Sequence, residues 1–218
     1  MRYLIAACRV FEKEIHEMLG DAHEHALIML DFGYHRRPLI LQQKLQEIID
    51  SAKGVDAILL LYGRCGGVLN LKARSAPVVI PRVNDCFDLM LGCRERFSIF
   101  SDEPGTYFLS NGWVQKDGTP YEKADKMKRR LGRIDSNIIE EMYSGYRRLF
   151  FVRTGIETEE DILRARHSSD KMGWRFEEEK ADLSMIKRLF SGEWGSDFIV
   201  LRAEIKEGLK TTWNQMSL

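Results

Sequence analysis

A short apolar strand runs directly into a glycine-rich turn in the stretch Ala57-Ile58-Leu59-Leu60-Leu61-Tyr62-Gly63-Arg64-Cys65-Gly66-Gly67. An unbroken apolar run bounded by turn residues is typical of a strand buried on both faces, as in a parallel sheet. Similar runs occur at residues 3–8, 26–31 and 77–81, with amphipathic helices predicted between them. The sequence therefore predicts an α/β fold, a three-layer α/β/α sandwich with a mostly parallel central sheet.

The second half of the chain is less regular than the first. Residues 1–100 carry the regular strand–helix units, and residues 101–218 are predicted to complete the same domain. No internal repeat and no linker-like composition separates the halves, so a single domain over residues 1–218 is expected. The further predicted strands cover residues 105–113, 148–154 and 197–202, and the further predicted helices cover residues 121–131, 138–146 and 182–190, with another beginning at Thr158.

The bulk composition argues against several classes of function. The 218 residues include 33 basic and 33 acidic side chains, giving a formal charge of zero. A nucleic-acid-binding domain normally carries a basic excess, so no nucleic-acid partner is expected. The apolar run after Met1 stops at Cys8-Arg9, too soon for a secretory signal or a membrane span. A cytoplasmic protein is expected, and four cysteines are too few for a secreted disulfide scaffold.

Four predicted strands each lead to a residue that can bind a soft metal: Cys8, His35, Cys65 and Cys86. The carboxyl ends of parallel strands line the crevice where ligands bind, so these residues are expected to meet. Three thiolates and an imidazole suit zinc, or an iron–sulfur cluster with an unusual fourth ligand. Alternatively, the cysteines are buried as small apolar side chains beside their strands. Cys93 lies about two helical turns beyond Cys86 and is not expected to be a ligand.

The turn at Cys65 offers a second kind of site. Gly63, Gly66 and Gly67 would let backbone N–H groups converge on an anion, and such a nest would also lower the pKa of the Cys65 thiol. The turn lacks the lysine and the Ser/Thr of a P-loop. An ordinary tight turn is the alternative.

Polar residues after the fourth strand could assist chemistry. Asp85 is placed to cap the following helix, and otherwise could orient His35 or act as a general base. Arg82 could bind an anionic group of a substrate, as could Arg36. The aromatic residues Tyr107 and Trp113 either wall a pocket or belong to the core.

Three stretches together resemble the DUF1638 family. They are Tyr62-Gly63-Arg64-Cys65-Gly66-Gly67, Val79-Ile80-Pro81-Arg82-Val83-Asn84-Asp85-Cys86 and Pro104-Gly105-Thr106-Tyr107-Phe108-Leu109 to Gly112-Trp113. The opening Ile5-Ala6-Ala7-Cys8 fits the same family. The family pattern has His-Asp-Cys where this chain has Asn84-Asp85-Cys86, so no role that needs a histidine at position 84 is carried over.

The resemblance implies an α/β protein of a kind whose genes lie beside those of corrinoid-dependent methyltransferases that act on methylamines and related one-carbon donors. A corrinoid methyltransferase protein is thus the implied partner. It also implies that Cys8, Cys65 and Cys86 belong to one site.

Three hypotheses follow for the function. The first is a cysteine-rich metal site for zinc or an iron–sulfur cluster, with Cys8, Cys65 and Cys86 as ligands, His35 as fourth ligand or acid/base, and Arg82 holding an anionic group. The second is a metal-independent enzyme with Cys65 as nucleophile acting on a small anionic substrate. The third is a non-catalytic protein that binds a small molecule or a corrinoid fragment, with helix 121–131 contacting a methyltransferase. Whether the protein is an enzyme is left open.

Overall fold

The larger of two sheets in the fold has five strands. The computed structural model describes residues 1–20, 24–92, 103–131 and 136–202. The sheet has the order β2-β1-β3-β4-β8, in which β8 at the edge is antiparallel and all other neighbours are parallel. Its strands are β1 (Tyr3–Cys8), β2 (Ala26–Leu30), β3 (Ala57–Leu61), β4 (Val78–Pro81) and β8 (Phe198–Leu201).

A second sheet of three parallel strands has the order β5-β6-β7. Its strands are β5 (Thr106–Ser110), β6 (Arg148–Arg153) and β7 (Arg175–Lys180). The helices, numbered along the chain, are α1 (Glu12–Leu19), α2 (Pro38–Ser51), α3 (Cys86–Met90), α4 (Asn111–Asp117), α5 (Pro120–Leu131), α6 (Ser136–Tyr143), α7 (Glu159–Met172) and α8 (Ser184–Ser191). Short 3₁₀ turns follow β1, β2 and β3.

Alternation along the central strands divides the core into two layers. Ile5 and Leu59 face one hydrophobic cluster, which also contains Ile15 of α1. Ala6 and Leu60 face the other, with Leu45 and Ile49 of α2. Because successive side chains of a strand point to opposite faces, helices cover both faces of this sheet. The α/β class and the mostly parallel order predicted from the sequence are confirmed.

The second sheet shares the first of these clusters. Phe150 and Val152 of β6 pack in the same cluster as Ile5, whereas Phe151 faces the other way and packs with Ala165 of α7. Residues of both sheets thus contribute to one apolar cluster. This packing supports the single domain, which stays a prediction.

Three details differ from the sequence prediction. The strands form two sheets where one central sheet was predicted, because β5 pairs with β6 and not with β4. A helix begins at Asn111, inside the strand predicted over residues 105–113. Strand β7 was not predicted, because its sequence is charged and lacks an apolar run. No helix within the described residues is long and apolar enough to cross a membrane.

Gly112 allows α4 to lie against the chain that follows β1. A Cβ atom built on Gly112 would overlap the carbonyl group of Val10. We expect Gly112→Ala to lower the free energy of unfolding by about 1–3 kcal/mol, because the clash is with backbone that cannot rotate away. Urea unfolding followed by circular dichroism measures this. The control is Gly145→Ala, whose Cβ would contact nothing within 4 Å and which should change stability by less than about 0.5 kcal/mol. Equal stability of the two variants would contradict the close packing.

Glu14 is a buried carboxyl group between α1 and the second sheet. It is 1% exposed, and its Oε1 accepts a hydrogen bond of 2.7 Å from the Thr154 hydroxyl. Burial raises the pKa of Glu14, and the nearby Glu157 adds to the rise, while the Thr154 hydrogen bond opposes it. Burial therefore disfavours the carboxylate of Glu14 relative to the uncharged acid.

The raised pKa makes the contribution of Glu14 to stability depend on pH. That contribution is fully present below the ordinary pKa of a glutamate and is lost as the pH rises through the folded-state pKa. We expect Glu14→Gln to gain stability relative to wild type as the pH increases from 4 to 7, in urea unfolding at each pH. Exposed Glu17 on the same helix provides the control, Glu17→Gln. If the difference in unfolding free energy between Glu14→Gln and wild type did not change with pH, ionisation of Glu14 would cost the folded protein no free energy.

Candidate functional site

The four residues predicted at the strand ends line one small cavity. Cys8, His35, Cys65 and Cys86 all contribute to a cavity of about 40 Å³. Cys8 ends β1, His35 and Cys65 lie in the 3₁₀ turns that follow β2 and β3, and Cys86 begins α3 after β4. The remaining lining residues that bear on its chemistry are Asp31, Tyr34, Tyr62 and Trp113.

Cys8 ends β1 and is half-buried. Burial raises the pKa of its thiol to about 11, and the Cys65 thiol and the Asp31 carboxylate add to the rise. The backbone N–H groups of Val10 and Arg9 oppose the rise, because they stabilise a negative charge on sulfur. At neutral pH, in the absence of a cation, Cys8 is a neutral thiol.

Cys65 lies in a turn that is fixed against the chain after β4. The Arg64 N–H donates to the Val83 carbonyl at 3.0 Å, and the Cys65 N–H donates to the Asn84 carbonyl at 2.9 Å. A Cβ on Gly63 would lie 2.7 Å from the backbone of Asn84, so only glycine fits there. These contacts bring Cys65 close to the segment that carries Cys86.

The glycine-rich turn is not an open anion nest. Gly66 and Gly67 donate their N–H groups to the carbonyls of Gly63 and Arg64, at 3.0 and 3.1 Å, and the Cys65 N–H is already bound. The N–H groups of these three residues are therefore engaged within the protein. The predicted lowering of the Cys65 pKa is wrong: the protein packed around its sulfur and the charge of Asp85 raise the pKa, although the residue as a whole is exposed. The nearby N–H groups only reduce the rise.

Asp85 caps α3, as the sequence predicted. Its Oδ1 accepts hydrogen bonds from the N–H groups of Phe87 and Asp88, at 2.9 and 3.0 Å. The next residue, Cys86, is half-buried, and its pKa is raised mainly by burial and by the charge of Asp85. The buried indole N–H of Trp113 lies near the Cys86 sulfur and lowers this pKa, although it completes no hydrogen bond of normal geometry within the described residues.

One ring nitrogen of His35 is held by the backbone. Its Nδ1 lies 2.5 Å from the Phe32 carbonyl oxygen, so Nδ1 carries the proton that is donated there. In the neutral ring Nε2 is the unprotonated nitrogen, which can accept a proton or bind a metal. The ring lies edge-on to Trp113, with centroids 4.9 Å apart.

The side chains are not arranged as a metal centre. Among residues 1–20, 24–92, 103–131 and 136–202, no group of three or more His, Cys, Asp or Glu side chains is placed to hold a metal ion. A metal at the thiols would therefore require side-chain rotations. Cys65 and His35 are exposed, which leaves room for such rotations.

One predicted participant, Arg82, is not brought to the cavity. Arg82 is exposed, its Nε donates to the Phe198 carbonyl at 3.3 Å, and it lines neither this cavity nor the larger one beside it. The structure thus does not place Arg82 to hold a substrate anion. Cys93 lies outside the described residues.

A larger cavity of about 380 Å³ adjoins the thiols. It shares His35, Cys65, Cys86 and Trp113 with the small cavity. The sequence did not indicate Asp117 or Lys123, because they lie on helices of the second half and meet the site only through the tertiary fold. The other lining residues are Arg36, Asp85, Phe87, Thr106, Tyr107, Phe108 and Tyr146.

A family comparison agrees with the resemblance seen in the sequence. The family described as "Protein of unknown function (DUF1638)" matches residues 29–190. The chain belongs to the DUF1638 family. The matched range includes His35, Cys65 and Cys86, whereas Cys8 precedes it. No curated protein and no solved structure matches the chain.

The raised pKa values predict slow thiol chemistry in this DUF1638 protein. We expect Cys65 to react first with iodoacetamide, because it is the exposed thiol, yet more slowly at pH 7.5 than cysteine in an unfolded peptide. Its rate should rise about tenfold per pH unit until the pH reaches the raised pKa, because the thiolate is the reacting form. Mass spectrometry of the labelled peptides, with Cys65→Ser as control, gives the rates. Labelling of Cys65 faster than that of the unfolded peptide would indicate a lowered pKa and favour the nucleophile hypothesis.

Proposed function

We propose that this protein binds a soft metal ion, zinc, through the thiols of Cys8, Cys65 and Cys86, with His35 as the fourth ligand or as an acid/base group. The larger cavity beside the thiols would bind the small molecule on which the site acts. The family resemblance suggests corrinoid-linked one-carbon metabolism as the setting and a corrinoid methyltransferase protein as the partner.

The observation that carries the proposal is the gathering of three thiols with raised pKa values at one cavity. Burial and the neighbouring negative charges disfavour their thiolates. A divalent cation removes this penalty, because it compensates the charges that the apolar surroundings and neighbouring carboxylates oppose. The same raised pKa values weaken the case for Cys65 as a metal-free nucleophile, which needs its thiolate near neutral pH.

The chemistry of the donors fits zinc better than a harder cation. Thiolate and imidazole ligands select zinc and other soft or borderline metals, whereas carboxylates and water suit magnesium and calcium. The cavity of about 40 Å³ is comparable with the share of liquid volume taken by one water molecule, about 30 Å³. A single ion fits a space of that size.

Bound zinc would supply Lewis acidity and would stabilise a thiolate at neutral pH. The contributions of the protein are the sulfur donors at the strand ends, the Nδ1–H hydrogen bond that leaves Nε2 of His35 available, and the Trp113 indole beside Cys86. Such an outer contact orients a ligand side chain and reduces the negative charge on its sulfur.

Metal analysis of anaerobically purified protein tests the proposal directly. We expect about one zinc per chain and a colourless solution, because three thiolates and an imidazole complete a tetrahedral site. Cys8→Ser, Cys65→Ser and Cys86→Ser should each lower the zinc affinity by at least about tenfold, whereas Cys93→Ser should not. No zinc after reconstitution, or equal loss in the Cys93→Ser control, would contradict the proposal. A brown protein that contains iron would instead indicate an iron–sulfur cluster at this site.

The pH dependence of zinc binding provides a second measurement. Because the three thiols are protonated at pH 7, zinc must displace their protons, and its affinity should increase with pH from 6 to 8. Titration calorimetry in buffers of different ionisation enthalpy counts the protons released. We expect more than one proton per zinc in wild type and fewer in Cys8→Ser. Zinc binding without proton release would show that the thiols are not the ligands.

A further inference from the structure

The larger cavity contains a polar group of side chains apart from the thiols. Asp117 of α4 accepts hydrogen bonds from Arg36 at 3.2 Å and from Lys123 at 2.9 Å. The Lys123 ammonium also donates to the Tyr107 hydroxyl at 2.8 Å. These residues line the larger cavity but not the small one. They therefore mark a region of the cavity away from Cys8.

Several hydrogen-bond donors of these side chains are not used within the protein. An ammonium group has three N–H bonds, and Asp117 and Tyr107 take two of those on Lys123. The Tyr107 hydroxyl accepts from Lys123, and its own O–H donates to no acceptor within the described residues. Arg36 contacts Asp117 through one terminal nitrogen and keeps its other N–H groups. Three residues thus have donors to offer in one cavity.

The charges of this group specify the kind of ligand. Two cations and the Asp117 carboxylate leave a net charge of one positive unit. The other carboxylate of the cavity, Asp85, keeps its negative charge, but it lies at the thiol end, where it caps α3 and raises the pKa of Cys65 and Cys86. The positive unit therefore belongs to the end of the cavity that Asp117, Lys123 and Arg36 line. One positive unit matches a singly charged carboxylate, whereas a phosphate with two charges would leave an uncompensated negative charge.

Aromatic rings hold the Tyr107 side chain in place and line the rest of the cavity. The Tyr107 ring packs against Tyr146 and Trp174, with centroids 5.2 and 5.9 Å apart. Phe87 stacks with Trp113 in the same cavity, with centroids 6.4 Å apart. Aromatic walls with a few placed polar groups are typical of small-molecule pockets, and about 380 Å³ lies within their usual range of size.

From these contacts we infer that the larger cavity binds the carboxylate of a small monocarboxylic acid through Lys123, Arg36 and Tyr107, with its apolar body between the aromatic walls. Asp117 is a positioning residue, which holds the two cations together. The inference rests on the proposed ligand-binding role of this cavity, but not on the metal.

Titration calorimetry with benzoate, its neutral counterpart benzamide, and inorganic phosphate tests the inference. Benzoate should bind to wild type more tightly than benzamide and phosphate. Lys123→Met should weaken benzoate binding by about tenfold or more, because a charge-assisted hydrogen bond is lost, and should leave benzamide unaffected. The matched control is Lys126→Met, an exposed lysine on the same helix, which should bind benzoate as wild type does.

A second variant tests the inference even if Lys123→Met does not fold. The Arg36 side chain is 61% exposed, so Arg36→Gln should fold normally and still weaken benzoate binding, with exposed Arg37→Gln as its control. Absence of benzoate binding to wild type, equal binding of benzoate and benzamide, tighter binding of phosphate, or unchanged affinity in both variants would each overturn the inference. Zinc content should remain unchanged in Lys123→Met and Arg36→Gln. Failure of the metal site would appear in zinc content alone, and failure of carboxylate recognition in the benzoate titrations alone.

Discussion

The close approach of Gly63 to the backbone of Asn84 is the contact on which the thiol site depends. Strands β3 and β4 are parallel neighbours, so the segments that follow them leave the sheet at the same edge. The hydrogen bonds from Arg64 to Val83 and from Cys65 to Asn84 continue the pairing beyond the strands. No side chain fits at position 63, because a Cβ would lie 2.7 Å from Asn84. Cys65 and Cys86 therefore line one cavity although they are distant in sequence.

The strand ends in the sequence indicate the thiol side of the cavities but not their polar side. Cys8, His35, Cys65 and Cys86 could be found because the topology of a parallel sheet alone places strand ends together. Lys123 and Asp117 follow no such rule, since their position depends on how the second sheet packs against the first. The pKa of Cys65 could not be read from its glycines, because the sequence does not show that their N–H groups bind nearby carbonyls.

The fold was predictable where apolar runs define the strands and was missed where other forces do. The strands at residues 3–8, 57–61 and 78–81 are unbroken apolar runs and lie where the sequence predicts them. Strand β7 is an edge strand rich in glutamate, held by backbone pairing to β6 and by the 2.8 Å ion pair between Arg148 and Glu177. Neither interaction leaves a periodic apolar pattern in the sequence. The division into two sheets was missed because strand order depends on long-range pairing.

Charge explains why the proposed metal and the proposed carboxylate would occupy different regions of the cavities. Zinc bound by three thiolates and a neutral imidazole would carry one net negative charge, so it would not attract an anionic ligand. An anion therefore needs separate cations, and Lys123 and Arg36 lie in the same larger cavity as Cys65 and Cys86. The turn Phe32–Arg36 serves both regions, because His35 and Arg36 are adjacent in it. A ligand held by its carboxylate on the polar side would keep its other end available to the thiol side.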